Sequence, residues 1–520
     1  MVTKDKIKGK VLESALSLTI ATIVVKVLGA IYKIPISYVL GEEGMGYFNS
    51  AYTVYSFFYL LCTAGVPKAI MILCAETDNY REHHENKIIK ISLKFFICVG
   101  IVISLVFIAF SRTLARLIGS PDSYKSMIFI APSILFASLS GVIRGYFSSR
   151  VKFIHVAISQ IIEGAGKLVF GLILGIFSSR IFLSTSTVAA FSILGATCGS
   201  LLGYLYLEIK RKSEMSGDNK GQKSVLRENT TVIKRLIKIS LPIAAGAMIM
   251  SIVNIIDLGI VMNRLKSLGF TTTATTALYG NYTTYATPIF NAVISLFTPI
   301  TIAYMPVLIQ EKNTKITFLN VIKDQLDISF FVFVPLTVGI SVYSEEILLL
   351  LFEDGGVYQG SILLFYLILS VIFILPLSIM NCALEAAGEV KAPMISMLVG
   401  SIFKIISAYF LIGSPDFGII GAPISTLIFY SVALITSLGI ANKKIGVIPP
   451  IIRSIALPVI NSFISIYSIY PIYTYLSMRI SWMISFMASI ISSIIIYVIL
   501  SVLEGKLKRN QYIKIQNAQI

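Results

Sequence analysis

Short polar stretches divide this chain into fourteen apolar segments, each long enough to cross a lipid bilayer as one helix. With 56% hydrophobic and 13% charged residues, the chain has too little polar surface to cover a soluble fold of 520 residues. The segments lack the two-residue alternation of barrel strands. We therefore predict an all-α polytopic membrane protein with helices near 11–34, 46–73, 91–111, 127–148, 154–177, 181–208, 236–262, 278–309, 326–346, 361–384, 394–413, 417–441, 451–476 and 480–503.

The distribution of positive charge predicts the orientation of these helices. The net charge of +17 would suggest nucleic acid as the partner of a soluble protein. Here, 30 Lys and Arg residues lie on one side of the fourteen segments and seven on the other, which is the asymmetry of the positive-inside rule. We expect a multi-pass protein of the cytoplasmic membrane, with both termini cytoplasmic and no nucleic-acid partner.

A polar stretch and a weak internal repeat predict two lobes. Residues 210–231 are rich in Ser, Gly, Asn and cations, as expected for a linker. A shift of 232 positions places Tyr47, Asn49, Pro67 and Ile70 on Tyr279, Asn281, Pro299 and Ile302. Repeated lobes are common in secondary transporters. The predicted regions are an N-terminal lobe at 1–208, a cytoplasmic linker at 209–235, a C-terminal lobe at 236–441, and two further helices with a cytoplasmic tail at 442–520.

Residue types that usually indicate enzymes or metal sites are scarce. The five cysteines fall singly in apolar segments, and the three histidines lie outside any zinc-binding spacing. The segment Gly41–Gly46 resembles a phosphate-binding glycine loop, but it follows a membrane helix rather than a strand. We expect neither catalysis, nor a metal site, nor a cofactor.

The charges inside the apolar segments are the candidate functional residues, because a charge at mid-membrane is costly unless it has a partner or faces water. The cations that we predict to be buried are Lys26, Lys33, Lys68, Arg144, Lys167 and Lys404, and the central acids are Glu163 and Asp257. Surplus positive charge within the membrane favours an anionic solute, such as a phosphate or diphosphate headgroup. We therefore predict substrate-binding roles for the cations other than Lys68, and ion-coupling roles for the two acids.

Each of these charges also has a purely structural interpretation. The side chain of Lys26 could extend to the membrane surface. Glu163 and Lys167 are four residues apart, so they could form an ion pair within one helix. Asp257 requires a partner in another helix, a bound cation or a proton. Lys404 could pair with Asp257 or line a cavity.

Several short motifs resemble the polysaccharide-flippase branch of the multidrug/oligosaccharidyl-lipid/polysaccharide exporter superfamily, which includes stage V sporulation protein B and lipid II flippases. The motifs follow the order of that branch over nearly the whole chain, and they are Lys26–Gly29, Gly41–Tyr47, Ala64–Pro67, Arg144–Phe147, Ser159–Glu163 with Lys167, and Gly388, Lys391, Gly400 and Lys404. At Tyr32 and Lys33 the sequence departs from some lipid II flippases, which carry Arg followed by Asp there.

The resemblance implies two six-helix lobes and two C-terminal helices around a positively charged cavity, similar to multidrug exporters and lipid II flippases. It implies a secondary transporter that moves a polyprenyl diphosphate-linked saccharide or peptidoglycan precursor across the membrane by alternating access, in cell-wall, polysaccharide or spore-cortex synthesis. Lys26 would contact the diphosphate. Coupling to Na⁺ or H⁺ and function as a monomer are further expectations.

Two other functions remain open at this stage. A cation-coupled multidrug exporter of the same superfamily would favour an acidic cavity, whereas we predict six buried cations against two central acids in this chain. A membrane glycosyltransferase or ligase would need larger loops outside the membrane or a group of carboxylates. The sequence does not identify the saccharide or the coupling ion.

Overall fold

The computed structural model describes most of the chain, and the side chain of Lys26 lies outside the described part. The described residues are 2–75, 81–150, 152–181, 184–215, 226–311, 314–352, 356–389, 391–446, 448–479 and 481–503. Every regular element within them is helical. Twelve helical stretches of this part are long and apolar enough to cross a membrane. The predicted all-α membrane class is confirmed, while the count of fourteen spans stays a prediction.

The chain forms two compact units, which divide between Thr284 and Tyr285. The helices of the first unit are α1 (Val2–Thr63), α2 (Val66–Ala75), α3 (Arg81–Leu117), α4 (Tyr124–Ile130), α5 (Pro132–Ser149), α6 (Phe153–Ile181), α7 (Thr185–Met215), α8 (Leu226–Ser267) and α9 (Thr272–Asn281). The predicted boundaries of the two lobes stay a prediction. Helix α8 begins at Leu226, inside the predicted linker, and both α8 and α9 pack against α1 of the N-terminal region.

The first two predicted spans are joined without a loop. Helix α1 runs through the first of them and into the second as far as Thr63, where α2 takes over at Val66, and it is interrupted at Gly41, where φ is 60° and ψ is −176°. A positive φ strains residues that carry a Cβ atom, so glycine suits this position. Pro35 lies inside the same helix, six residues before the break. The polar turn predicted after residue 34 is therefore a local break in a helix rather than an extended loop.

A large apolar core in the first unit lies where α2, α3 and α5 meet. Val66, Ile70, Ile89, Val142 and Tyr146 are among its buried members. Leu236 of α8 joins the same core. This packing holds α5 in place, and α5 carries Arg144.

The second unit contains the remaining helices. They are α10 (Thr287–Glu311), α11 (Lys315–Val342), α12 (Ser344–Leu351), α13 (Val357–Ile368), α14 (Val371–Ala386), α15 (Ala392–Ile412), α16 (Gly421–Lys444), α17 (Ile451–Ser477) and α18 (Trp482–Leu503). Helix α15 packs closely on α16, where a side chain on Gly400 would collide with the Phe429 backbone. Helices α17 and α18 pack against each other, and α17 also packs against α11.

Candidate functional site

Close contact between α6 and α7 sets the position of two predicted site residues. A Cβ atom on Gly195 would lie 2.8 Å from the Lys167 carbonyl oxygen, and one on Gly199 would lie 2.7 Å from the Lys167 amide nitrogen. Small residues allow this approach between membrane helices. The backbone of α6 at Lys167 is therefore held against α7. The side chains of Glu163 and Lys167 reach toward residues of α5 and α1.

Glu163 pairs with Arg144 of α5. The Arg144 Nη2 donates to Glu163 Oε2 at 2.7 Å, and Arg144 Nε donates to Ser159 Oγ at 3.1 Å. The two charged side chains are 12% and 27% exposed. Glu163 therefore does not form the ion pair with Lys167 that their spacing within α6 suggested. The acid compensates a cation on the neighbouring helix instead.

Lys167 lies at the midpoint of α6, fourteen residues from Phe153 and fourteen from Ile181. Its ammonium nitrogen lies 4.4 Å from the centroid of the Tyr52 ring and 5.6 Å from that of Tyr32. Both rings belong to α1, and they attract the ammonium group through their negative faces. Among the described residues, no carboxylate lies within ion-pairing distance of Lys167. Within the part of the chain that the structure describes, the faces of these two rings are the groups found beside its charge.

Lys33 of α1 lies near Lys167 and contacts the backbone just after the end of α9. The Lys33 Nζ donates to the Thr283 carbonyl oxygen at 2.9 Å, and the two ammonium groups lie within electrostatic range of each other. A backbone carbonyl accepts a hydrogen bond but carries no full charge. Lys33 is therefore a second half-buried cation of the first unit that is not neutralised by this contact.

We call Lys33, Arg144, Glu163 and Lys167 the cation cluster. Three cations and one acid give it a net charge of +2. Next to Thr283, which accepts from Lys33, Thr284 Oγ1 accepts a hydrogen bond from Asn49 Nδ2 of α1 at 3.2 Å. The structure therefore brings together four of the seven predicted site residues.

The other three predicted residues lie elsewhere or outside the described part. The backbone of Lys26 belongs to α1, but its side chain is among those not described. Asp257 is half-buried in α8. Lys404 is buried in α15 of the second unit. Within the described ranges, no group of three His, Cys, Asp or Glu side chains could hold a metal ion.

Sequence reasoning missed the aromatic residues of the site. Phe48, Tyr52, Tyr55 and Tyr59 follow one another along α1, with centroid separations of 6.4, 5.6 and 5.6 Å between neighbours. Their spacing of three or four residues places them on one helix face. This periodicity was a usable signal, but it did not show that Tyr52 would contact Lys167.

Comparison with known proteins identifies the family of the chain. A family described as "Polysaccharide biosynthesis protein" matches residues 11–311, which is more than half of the chain. The chain belongs to this family. The resemblance derived from the sequence motifs is thereby confirmed for the polysaccharide biosynthesis family.

Two curated relatives and one solved structure extend the comparison. Stage V sporulation protein B of Bacillus subtilis is 26% identical over 480 residues, with 88% of this chain and 89% of the relative covered. Lipid II flippase MurJ of the same species is 20% identical over 420 residues and covers 76% of each chain. A structure of lipid II flippase MurJ in an inward closed conformation has a TM-score of 0.72 at 18% identity, covering 94% of this chain and 98% of that one. The protein therefore shares its fold with lipid II flippase and is a multi-pass membrane protein.

Proposed function

We propose that this protein is a flippase that moves a polyprenyl diphosphate-linked saccharide or peptidoglycan precursor across the cytoplasmic membrane by alternating access. Its membership in the polysaccharide biosynthesis family and its similarity to a lipid II flippase support this proposal. Similarity to a sporulation protein supports a cargo used in cell-wall or spore-cortex synthesis. The protein acts as a secondary transporter and not as an enzyme.

The observation that carries the proposal is the charge of Lys167 at the centre of a membrane helix, which has no ion-pair partner among the described residues. At an effective dielectric constant of about 20, one opposite charge at about 4 Å contributes on the order of 4 kcal/mol before desolvation. A diphosphate in contact with Lys167 and Lys33 would gain two such interactions. An apolar surface alone could not offset the cost of moving that headgroup through lipid.

Ion coupling and orientation complete the proposal. Asp257, which is half-buried in α8, and Glu163, which pairs with Arg144, are the candidates for coupling to Na⁺ or H⁺. The excess of Lys and Arg on one side supports cytoplasmic termini. The protein functions as a monomer, and Lys26 assists in diphosphate binding.

The proposal is tested by Lys167→Met in proteoliposomes that contain a labelled polyprenyl diphosphate saccharide. We expect the initial rate of transfer to fall by at least about tenfold, since one charge contact with the diphosphate is lost. The measurement is the exposure of the label to a reagent that does not cross the membrane.

Lys125→Met is the matched control. Lys125 is a half-buried lysine of the same unit that donates to Ser186 Oγ and Thr187 Oγ1, at 3.0 and 3.1 Å, outside the cation cluster. Its variant should retain activity within about twofold. Normal transfer by Lys167→Met, with amounts of folded protein equal to wild type, would refute the proposed role of the cluster. Extrusion of cationic drugs without lipid transfer would instead indicate a multidrug exporter.

A further inference from the structure

The chain changes its helical hydrogen-bonding pattern at the joint between the two units. Between α9 and α10, residues Tyr282–Ala286 form a π-helical turn, which we call the π segment. The boundary between the two compact units, which falls between Thr284 and Tyr285, lies inside it. Turns of this kind are rare, occur mostly at functional sites, and are among the few causes of sharp helix kinks. Their position at a joint between two units is the one expected of a hinge.

Pro288, which follows the π segment, accounts for its irregularity. A π-helical hydrogen bond to the Thr283 carbonyl would require a backbone N–H at residue 288, and an α-helical bond to the Thr284 carbonyl would require the same N–H. Proline has no N–H, and its ring clashes with the carbonyl four residues earlier in a regular α-helix. Residue 288 therefore offers neither carbonyl a donor, and a donor from another helix would stabilise the segment.

Lys33 of α1 supplies such a donor. Its Nζ donates to the Thr283 carbonyl oxygen at 2.9 Å. Asn49 Nδ2, on the same helix, donates to Thr284 Oγ1 at 3.2 Å. Both contacts reach the part of the π segment that belongs to the first unit. A side chain of the cation cluster thus holds the backbone of the joint directly.

The backbone on either side of the joint is fixed to different partners. Before it, a Cβ atom on Gly280 would lie 2.2 Å from the Glu42 carbonyl oxygen, so α9 packs main chain to main chain on α1. After it, the Tyr285 ring packs edge-to-face on that of Phe352, with centroids 4.8 Å apart. A Cβ atom on Gly360 of α13 would lie 2.7 Å from the Tyr285 Cβ atom. A change of backbone conformation is therefore confined to the few peptide groups between these anchors.

The cation cluster gives the Lys33 ammonium group an alternative partner. Lys167 lies within electrostatic range of Lys33, so the two ammonium groups repel each other. An anion between them would replace this repulsion with attraction, and a full charge attracts an ammonium group more strongly than a carbonyl dipole does. A bound diphosphate would therefore draw Lys33 toward Lys167 and away from Thr283.

We propose that the π segment is a hinge between the two units and that Lys33 locks it until an anion binds to the cation cluster. This inference rests on the proposed function, since Lys33 would also bind the diphosphate. When the anion takes the ammonium group, the Thr283 carbonyl loses its donor and the locked conformation is destabilised. Binding of the cargo thereby shifts the hinge toward its mobile state, because the anion interacts more favourably with that state.

The lock is tested without any ligand by hydrogen–deuterium exchange of the purified full chain in lipid nanodiscs, measured by mass spectrometry. In peptides that cover the π segment, Lys33→Met should exchange about tenfold faster than wild type, because a hydrogen bond from a charged donor is lost. Lys125→Met is the matched control and should exchange as wild type does, since Lys125 donates to Ser186 and Thr187 instead. Equal exchange in Lys33→Met and wild type would overturn the proposal.

Farnesyl diphosphate is the probe for release by the cargo. Saturating farnesyl diphosphate should raise the exchange of the wild-type π segment to about the rate of Lys33→Met, and that variant should show no further increase. Farnesol, which lacks the phosphates, should change neither. Binding of farnesyl diphosphate without faster exchange would contradict the release of the hinge but not the proposed function. Absence of binding would refute the proposed diphosphate site and, with it, release by the cargo.

Pro288→Ala restores the missing N–H and gives a second, independent variant. Its π segment should exchange about fivefold more slowly than wild type, and Lys33→Met should no longer accelerate exchange in that background. Transfer of a labelled polyprenyl diphosphate saccharide should slow by at least about fivefold, while the affinity for farnesyl diphosphate stays within about twofold, since the cation cluster is unchanged. Transfer at the wild-type rate despite slower exchange would rule out a hinge at this position. Pro288→Ala also keeps the test decisive if Lys33→Met does not fold.

Discussion

Replacing Glu163 with Gln removes the only acid of the cation cluster and leaves its shape nearly unchanged. The charged atoms of Arg144 and Glu163 are 2.7 Å apart, and the side chains are mostly buried. At an effective dielectric constant of about 20, their attraction is about 6 kcal/mol before the desolvation of both groups is subtracted. Loss of the acid leaves the Arg144 charge uncompensated. We therefore expect the free energy of unfolding to fall by about 3 kcal/mol.

Removing both charges should be much less damaging, because no buried charge is then left alone. For Arg144→Gln combined with Glu163→Gln, we expect a loss of about 1 kcal/mol. The two single variants and the double variant form a thermodynamic cycle, which is measured by reversible denaturation in mixed micelles. A coupling energy within about 0.5 kcal/mol of zero would show that the ion pair does not stabilise the protein.

Three further predictions concern helix packing, the binding of the diphosphate-linked lipid, and the orientation of the chain in the membrane. Gly199→Leu should abolish folded protein in size-exclusion chromatography, because its Cβ atom would collide with the α6 backbone, whereas Gly259→Leu, which has open space around it, should fold. Tyr52→Leu should reduce the affinity for diphosphate-linked lipid by about two- to fivefold in binding titrations, since it removes an aromatic face that holds Lys167, and Tyr52→Phe should retain that affinity. A fluorescent protein fused after residue 520 should fluoresce, because the termini are predicted to be cytoplasmic, and a dark but stable fusion would contradict this orientation.

Hydropathy predicted the membrane helices well where each span is a separate apolar segment. The segment near 154–177 corresponds to Phe153–Ile181, and that near 480–503 corresponds to Trp482–Leu503. Apolar length alone determines such spans, so the sequence suffices. It did not show that the spans on either side of Gly41 form one interrupted helix, because a polar turn and a helix break have similar compositions.

The partners of the buried charges could not be predicted in the same way. Spacing within one helix suggested Lys167 as the partner of Glu163, but the partner is Arg144 on another helix. That choice depends on how α5, α6 and α1 are rotated about their axes, which hydropathy does not encode. The aromatic periodicity of α1 was visible in the sequence, yet the contact of Tyr52 with Lys167 is a tertiary one.

The close contacts of Gly195 and Gly199 with α6 affect how strongly Lys167 can bind an anion. A lysine loses considerable side-chain entropy when a ligand immobilises it. Here the backbone that carries the side chain is already clamped by main-chain contact at Gly195 and Gly199, and two aromatic rings restrict the ammonium group. The site is therefore preorganised. The entropy cost of ordering the protein would offset only a small part of the interaction energy of a bound anion.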